Sequence, residues 1–250
     1  MSDIVFGIHA VQEALRSGQQ FDRLYVSQGR RGKAVHDILE LAKTRRLDVR
    51  FEPWERLTAR SGGRASHQGV VGIIASFTYL AFEDLLTSLH HSDEPAFLLV
   101  LDQIHDPQNL GAILRSAECA GVHGVILPTR KSAEISPTVL KVSAGATSYL
   151  PVCRVTNLAT TIDILKEHGV WVIGTADNAQ HSYTETDLTV PVALVIGNEE
   201  KGMRRLVAEK CDLVVSIPMY GKISSLNASV ASAVLAFEVR RQRQAIMRPR

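Results

Sequence analysis

The sequence predicts an α/β protein made of two units, the larger of which is built on a parallel sheet. Apolar runs of strand length alternate with helical stretches through residues 96–250, as they do in parallel sheets covered by helices on both faces. Residues 1–76 repeat this alternation on a smaller scale, and a segment without Lys or Arg, residues 77–95, lies between the two. With 250 residues, 45% of them hydrophobic, the chain is long enough to bury a sizeable core.

The first unit, residues 1–76, has the pattern of a small α/β domain. Its hydrophobic spacing predicts helices over His9 to Ser17 and Lys33 to Thr44, and strands over Arg23 to Val26, Asp48 to Phe51 and Gly69 to Ser76. The unit has 12 basic and 8 acidic residues, a net charge of +4, whereas the rest of the chain has a net charge of −2. The whole chain is no polyelectrolyte, so a nucleic-acid partner has to be argued from local charge.

The acidic segment 77–95 predicts a linker with a lead-in helix, and the second unit follows as residues 96–250. Its predicted strands are Ala96 to Leu101, Gly124 to Leu127, Val170 to Gly174, Val192 to Ile196 and Leu213 to Ile217. Its predicted helices are Asn109 to Ala120, Thr138 to Ala146, Leu158 to Glu167, Arg204 to Glu209 and Leu226 to Gln244. Such sheets bind ligands beyond the carboxyl ends of their strands, so the polar strand-to-helix loops form the candidate site.

The first of three polar loops runs from Leu101 into the following helix. Pro107 is suited to the first helical turn, which places Asn109 near the start of the helix. Arg115 lies further along, among small and apolar neighbours, and this favours a held guanidinium. The alternative is a surface arginine that snorkels or pairs with an acid.

The second loop, residues 195–203, carries Gly197 and Glu199 directly after an apolar strand. A glycine there lets the backbone approach a ligand, and the carboxylate accepts hydrogen bonds. Gly197 and Gly202 have the spacing of a phosphate-binding loop, but Met203 stands where that loop needs a lysine, and no GxGxxG motif follows any strand. The alternative is an ordinary glycine-bounded turn with solvated acids.

The third loop leads from Ile217 into a long helix that is expected to begin at about Ser225. Ser224 or Ser225 is the candidate N-cap of this helix. Asn227, in the expected first turn, either satisfies main-chain groups or faces a ligand.

Several functional classes are disfavoured. The three cysteines show no CxxC spacing and the histidines no HxxxH pair, so neither a disulfide framework nor a metal site is expected. The sequence lacks the GxSxG motif that would indicate a serine hydrolase. Without a signal-peptide pattern or an apolar run long enough to span a membrane, we expect a cytoplasmic protein.

Together the three loops resemble motifs 1, 2 and 3 of the SpoU (TrmH) branch of the SPOUT methyltransferases. The matching segments are residues 106–115 (DPQNLGAILR), 196–202 (IGNEEKG), and 217–219 with 224–231 (IPM and SSLNASVA). Residues 6–11 (FGIHAV) and 67–70 (HQGV) resemble the small amino-terminal RNA-binding domain of the same branch, whose fold is like that of ribosomal protein L30e. Gln108 stands where many relatives have a glycine, which affects only the local turn.

The resemblance implies a catalytic domain whose chain forms a trefoil knot, a homodimer, and S-adenosylmethionine bound in the knotted loops without a metal. It places the cofactor on Thr175, Ala176, Gly197, Ile217, Met219 and Leu226. It implies a catalytic group of Asn109, Arg115, Glu199, Ser225 and Asn227. We expect Asn109 and Glu199 to orient Arg115, which would stabilise charge on a ribose oxygen or bind the adjacent phosphate.

The overall resemblance is closest to enzymes that methylate the 2'-hydroxyl of a guanosine in 23S rRNA. A tRNA 2'-O-methyltransferase is the nearest alternative, followed by an RNA-binding protein without activity and, less favoured, a nucleotide-dependent oxidoreductase. In the basic first unit, Arg30, Arg31, Lys33 and Arg64 are the candidates for phosphate contacts.

Overall fold

The computed structural model describes residues 4–16, 19–63, 65–75 and 77–247. The chain divides into two compact units, residues 1–78 and 79–250. Of the helices described, none combines the length and the apolar character that a membrane span requires.

The first unit is a four-stranded sheet packed against helices. Its elements are β1 (Ile4–Phe6), α1 (Ile8–Arg16), β2 (Phe21–Ser27), α2 (Lys33–Thr44), β3 (Val49–Glu52), α3 (Trp54–Arg60) and β4 (Val70–Ile74). The strand order is β1-β4-β2-β3, in which β2 and β3 are parallel and β4 is antiparallel to β1 and β2. Val35, Ile38 and Ala42 form one buried stripe of α2, so the predicted spacing is the core-facing side of that helix.

The second unit is a seven-stranded sheet with helices on both faces. Its elements are α4 (Phe82–Leu89), β5 (Phe97–Leu101), α5 (Pro107–Cys119), β6 (Gly124–Pro128), α6 (Pro137–Val142), β7 (Val152–Val155), α7 (Leu158–Glu167), β8 (Trp171–Thr175), β9 (His181–Ser182), β10 (Val192–Ile196), α8 (Arg205–Lys210), β11 (Leu213–Ser216) and α9 (Ala228–Met247). The strand order is β7-β6-β5-β10-β8-β11-β9, and every neighbouring pair is parallel. The predicted α/β architecture with a parallel sheet is confirmed, whereas the threading of the chain into a knot stays a prediction.

The segment expected to be a linker, residues 77–95, belongs largely to the second unit. Its helix α4 is indeed present, but Phe82, Leu85 and Leu86 are buried in the same apolar cluster as Leu98 of β5 and Ile162 of α7. The expectation of a linker was wrong here because Glu83 and Asp84 lie on the outer face of an amphipathic helix, whereas Asp93 and Glu94 follow that helix and Glu94 pairs with Arg240 at 2.8 Å.

Helix α9 extends along the sheet and is anchored near its carboxyl end by Arg243. This side chain is only 3% exposed, and its guanidinium donates to the main-chain oxygens of Pro95 (2.7 Å), Ala96 (3.0 Å) and Val190 (2.8 Å). These acceptors precede β5 and β10. The helix therefore holds the amino edge of the sheet, while its own first residues lie at the carboxyl edge.

Candidate active site

The carboxyl ends of β8, β10 and β11 open into one cleft of about 400 Å³. This volume lies within the usual range for small-molecule sites, roughly 300–1,000 Å³. All the residues expected to hold a cofactor line this cleft: Thr175, Ala176, Gly197, Ile217, Met219 and Leu226. Glu199 and Ser225, expected in the catalytic group, line it as well.

The cleft combines apolar side chains with unsatisfied main-chain donors. Ile196, Ile217 and Leu226 contribute aliphatic side chains to its lining. Within the described residues, the N–H groups of Ile217, Met219 and Leu226 donate to no protein acceptor. A ligand with a flat or apolar part and several acceptor atoms matches this lining, because it covers the aliphatic surface and accepts from these N–H groups.

The loop between β10 and α8 closes back on itself directly after Gly197. Asn198 and Gly202 exchange two main-chain hydrogen bonds of 3.1 and 2.8 Å, and Asn198 Oδ1 accepts from the N–H groups of Glu200 and Lys201. The returning chain leaves no room for a side chain at Gly197, where a Cβ would lie 2.4 Å from the carbonyl carbon of Gly202. The sequence motif therefore encodes a tight turn that forms one wall of the cleft.

A partly buried ion pair fixes the far end of this loop. Asp102, which follows β5 and is fully buried, accepts from both the main-chain N–H and Nε of Arg204, each at 2.7 Å. Neither residue was predicted from the sequence. The position of Asp102 could have indicated a role near the site, because it directly follows an apolar strand, and ligand-binding loops follow the carboxyl ends of such strands.

Glu199 joins three separate parts of the chain. Its Oε1 accepts from Nδ2 of Asn109 near the start of α5, from Nδ2 of Asn227 at 3.3 Å, and from the main-chain N–H of Ala228 at 3.2 Å. Asn227 Nδ2 also donates to Asn109 Oδ1 at 2.9 Å. The carboxylate therefore lies at the amino end of α9, where the helix dipole favours negative charge.

The N-cap of α9 is Asn227. Its Oδ1 accepts from the main-chain N–H of Ser229 at 3.0 Å, and its main-chain oxygen accepts from Ala231 N–H at 2.9 Å. The expectation that Ser224 or Ser225 caps the helix was wrong, because α9 begins only at Ala228. Ser225 instead faces the cleft.

Arg115 does not join this cluster. Its side chain is exposed, and within the described residues it makes no hydrogen bond or ion pair. The expectation of a guanidinium held by Asn109 and Glu199 was wrong for a geometric reason. Asn109 and Arg115 are six residues apart in α5, which separates them by about 9 Å along the helix axis and by roughly 120° around it. The two side chains therefore lie on different sides of the helix.

The candidates for RNA contacts lie in the first unit. Arg30, Arg31 and Lys33 are exposed between β2 and the start of α2, and among the described residues none of them forms an ion pair. Arg64 lies outside the described residues. Across the part of the chain that the structure describes, no cluster of His, Cys, Asp and Glu is arranged to hold a metal ion.

Comparisons with known proteins agree with this architecture. The SpoU rRNA Methylase family matches residues 96–237, and the RNA 2'-O ribose methyltransferase substrate binding family matches residues 4–80. A Bacillus subtilis protein assigned to the TrmH family of tRNA/rRNA methyltransferases is 41% identical over 244 residues, which is 98% of this chain and 97% of that protein.

Two solved structures extend the comparison. The SpoU methyltransferase AviRb from Streptomyces viridochromogenes, in complex with AdoMet, matches with a TM-score of 0.67 and 26% identity over 97% of this chain and 90% of its own. An AdoMet-bound rRNA methyltransferase from Sinorhizobium meliloti matches with a TM-score of 0.64 and 28% identity over 96% of this chain and 87% of its own. The chain therefore belongs to the SpoU (TrmH) family of RNA methyltransferases, within the SPOUT superfamily.

Proposed function

We propose that this protein transfers a methyl group from S-adenosylmethionine to the ribose 2'-hydroxyl of a guanosine in 23S rRNA. The observation that carries the proposal is the cleft beside Glu199. There, unsatisfied main-chain donors and aliphatic side chains adjoin a polar cluster formed by Asn109, Glu199 and Asn227.

The loops of the cleft fit the cofactor by their chemistry. The N–H groups of Ile217, Met219 and Leu226 are free to donate to the acceptor atoms of adenosine and of the amino-acid carboxylate, and the aliphatic side chains suit the adenine faces. When bound, S-adenosylmethionine supplies an already activated methyl group on a sulfonium centre. The protein therefore has to position the reactants and exclude water.

Asn109, Glu199 and Asn227 hold the geometry of the cleft. Because Glu199 accepts from α5 and from the start of α9 at once, it fixes the loop that lines the cleft relative to both helices. Glu199 already accepts several hydrogen bonds, so we assign it a positioning role. Ser225 lies on the cleft and supplies a hydroxyl toward the ligand.

Arg115 is available for RNA. A guanidinium has a pKa above about 12 and is a poor general base. Its exposed donors are instead suited to a bidentate contact with the phosphate beside the target ribose, where they also stabilise negative charge on the attacking oxygen.

The choice of rRNA rests on two matches: the catalytic unit to the SpoU rRNA Methylase family, and nearly the whole chain to the S. meliloti rRNA methyltransferase. Mapping 2'-O-methyl groups on rRNA and tRNA from cells that lack the protein tests the target. We expect one guanosine of 23S rRNA to lose its methyl group and the purified protein with S-adenosylmethionine to restore it. A site in tRNA would establish the alternative substrate, and no restored site would indicate an RNA-binding protein without activity.

Arg115→Ala tests the role of the free guanidinium. We expect transfer with saturating RNA and cofactor to fall by about 100-fold or more, and Arg115→Lys to restore part of it, because lysine keeps the charge but loses the planar pair of donors. Cofactor binding, measured by calorimetry, should be unchanged in both variants. Near-full turnover by Arg115→Ala would refute this role.

We propose a homodimer that forms through helix α9 and a cytoplasmic location, supported by the exposed surface of that helix and by the free thiols. Val230 and Phe237, seven residues apart on α9, are 46% and 49% exposed, and a second copy would cover them in a homodimer. Phe237→Asp should shift the sedimentation coefficient to that of a monomer; an unchanged value would exclude this face. All three cysteines are free, which suits the reducing cytoplasm.

A further inference from the structure

Residues 6–11 and 67–70, which the catalytic chemistry does not use, meet at one edge of the amino-terminal sheet. Gly7 donates its N–H to the main-chain oxygen of Val70 at 3.0 Å, and Ile8 donates to Gln68 Oε1 at 3.0 Å. Gln68 has a φ of 53°, a left-handed conformation that is rare for a residue other than glycine and that marks functional sites when it is held by its surroundings.

Beside this junction, Trp54 is held in a fixed orientation. Its indole lies 4.2 Å, centroid to centroid, from the ring of His67, which is completely buried. Gly69 N–H donates to His67 Nδ1, so Nε2 carries the proton and donates to Thr58 Oγ1 at 2.9 Å. Thr58 Oγ1 in turn donates to the main-chain oxygen of Trp54. Burial lowers the pKa of His67, which keeps the imidazole neutral in this network.

The stem of Arg30 and the indole of Trp54 both border Gly69. A Cβ at Gly69 would lie 3.3 Å from Arg30 Cγ and 3.3 Å from Trp54 Cζ3, so the absence of a side chain there leaves room for both groups. The φ of Gly69, 81°, also favours glycine. Trp54 nevertheless remains 40% exposed. A half-exposed aromatic ring therefore lies close to the aliphatic stem of an exposed arginine.

The basic residues between β2 and the start of α2, which include Arg30, lack acidic partners among the described residues. Arg23 and Arg50 of the unit pair with Asp48, at 2.8 and 3.2 Å, and Arg60 pairs with Glu52 at 2.9 Å. In contrast Arg30, Arg31 and Lys33 have no acidic partner among the described residues, and the exposed acid nearest to Trp54 in sequence, Glu55, is followed by Arg56. An exposed aromatic ring next to unpaired cations is the arrangement with which proteins bind the bases and phosphates of unpaired nucleic acid.

We propose that Trp54 stacks on an unpaired base of the RNA while Arg30, Arg31 and Lys33 bind the neighbouring phosphates. This inference rests on the proposed function, and it specifies the class of RNA that the amino-terminal unit selects: a loop or bulge with splayed bases. A duplex gives no free base face to the indole, so Trp54 discriminates between unpaired and paired RNA, whereas the cations contribute to both.

The test uses the full chain with two probes, a 12-nucleotide oligouridylate and a 12-base-pair RNA duplex. We expect Trp54→Ala to raise the Kd for the oligouridylate about 5- to 100-fold, as removal of a stacking ring does, while the Kd for the duplex changes less than about twofold. Trp54→Phe should recover most of the affinity. Arg30→Ala should weaken both probes and reduce the salt dependence of binding by about one released ion.

Trp171 provides the matched control, because it is the other tryptophan, is 55% exposed and lies in the second unit. Trp171→Ala should leave both affinities unchanged. In a Trp171→Phe chain the single indole of Trp54 should be quenched by the oligouridylate, a signal that a merely structural tryptophan would not give.

Three results would overturn the proposal: unchanged oligouridylate binding in Trp54→Ala, equal losses for oligouridylate and duplex, or competition by polyglutamate as strong as that by RNA. The last result would indicate an acidic protein partner. If methyl transfer by the unsubstituted chain is intact, these results refute only the stacking site, whereas absent transfer refutes the proposed function.

Discussion

Replacing Gly197 by alanine tests whether the tight turn after β10 shapes the cofactor site. The new Cβ would lie 2.4 Å from the carbonyl carbon of Gly202 and 2.5 Å from Met203 N. These are main-chain atoms, so the loop itself has to retreat by about 1 Å to reach an ordinary carbon contact. Overpacking of this kind costs about 1–3 kcal/mol. If that strain is relieved by displacing the wall of the cleft, cofactor affinity falls by roughly 5- to 150-fold.

The assay is titration calorimetry with S-adenosylmethionine, accompanied by thermal unfolding. Gly221→Ala is the matched control, because Gly221 lies in the loop before α9, has no atom within 4 Å of a built Cβ and has no positive φ. We expect Gly221→Ala to bind the cofactor like the unsubstituted chain. Equal cofactor affinity in Gly197→Ala and Gly221→Ala would refute the argument that the returning backbone forms the wall.

Further predictions concern the groups around the cleft and the thiols. Asp102→Asn removes the buried anion that faces Arg204, so we expect the free energy of unfolding to fall by about 1–3 kcal/mol and cofactor binding to weaken. The surface pair of Asp163 and Lys210 is the control: Asp163→Asn should cost less than about 1 kcal/mol, and equal losses in chemical denaturation would contradict the role of burial. Glu199→Gln removes negative charge from the start of α9, and we expect a loss of about 0.5–2 kcal/mol in thermal unfolding together with slower methyl transfer; wild-type values for both would exclude the positioning role. Burial raises the pKa of Cys153 and of Cys211 to about 12, so at pH 8 their reactive thiolate forms are scarce and iodoacetamide should label only the exposed Cys119. Labelling of Cys153 or Cys211 in the folded protein, read by mass spectrometry, would contradict this.

The fold followed from hydrophobic periodicity wherever a segment was long and buried on one side. Strand β10 and helices α2 and α7 have the bounds that the spacing predicts, because uninterrupted apolar runs and helical stripes are strong signals. The short strand Val152–Val155 was missed, since Arg154 interrupts its apolar run. Its position comes from pairing with β6, which is tertiary information.

The residues of the cofactor cleft were predictable because they follow strands of a parallel sheet and match family motifs. The hydrogen bonds that join the loops around the cleft to distant parts of the chain were not predictable. Asp102 and Arg204 are 102 positions apart, and Glu199 meets Ala228 across 29. No local pattern reports such contacts. Arg115 shows the reverse error: apolar neighbours in sequence suggested enclosure, but along a helix they occupy other faces and leave the guanidinium in solvent.

Helix α9 connects the two ends of the sheet mechanically. In its first turn, the main-chain N–H of Ala228 donates to Glu199. Fifteen residues later, the guanidinium of Arg243 donates to the main-chain oxygens that precede β5 and β10. At 1.5 Å per residue, this part of α9 is about 22 Å long, and it is held by side-chain contacts at both ends. A substitution of Arg243 removes the contacts at the carboxyl end of α9, so we expect the amino end of the helix to shift beside the cleft. Cofactor affinity should therefore fall, although Arg243 does not line the cleft.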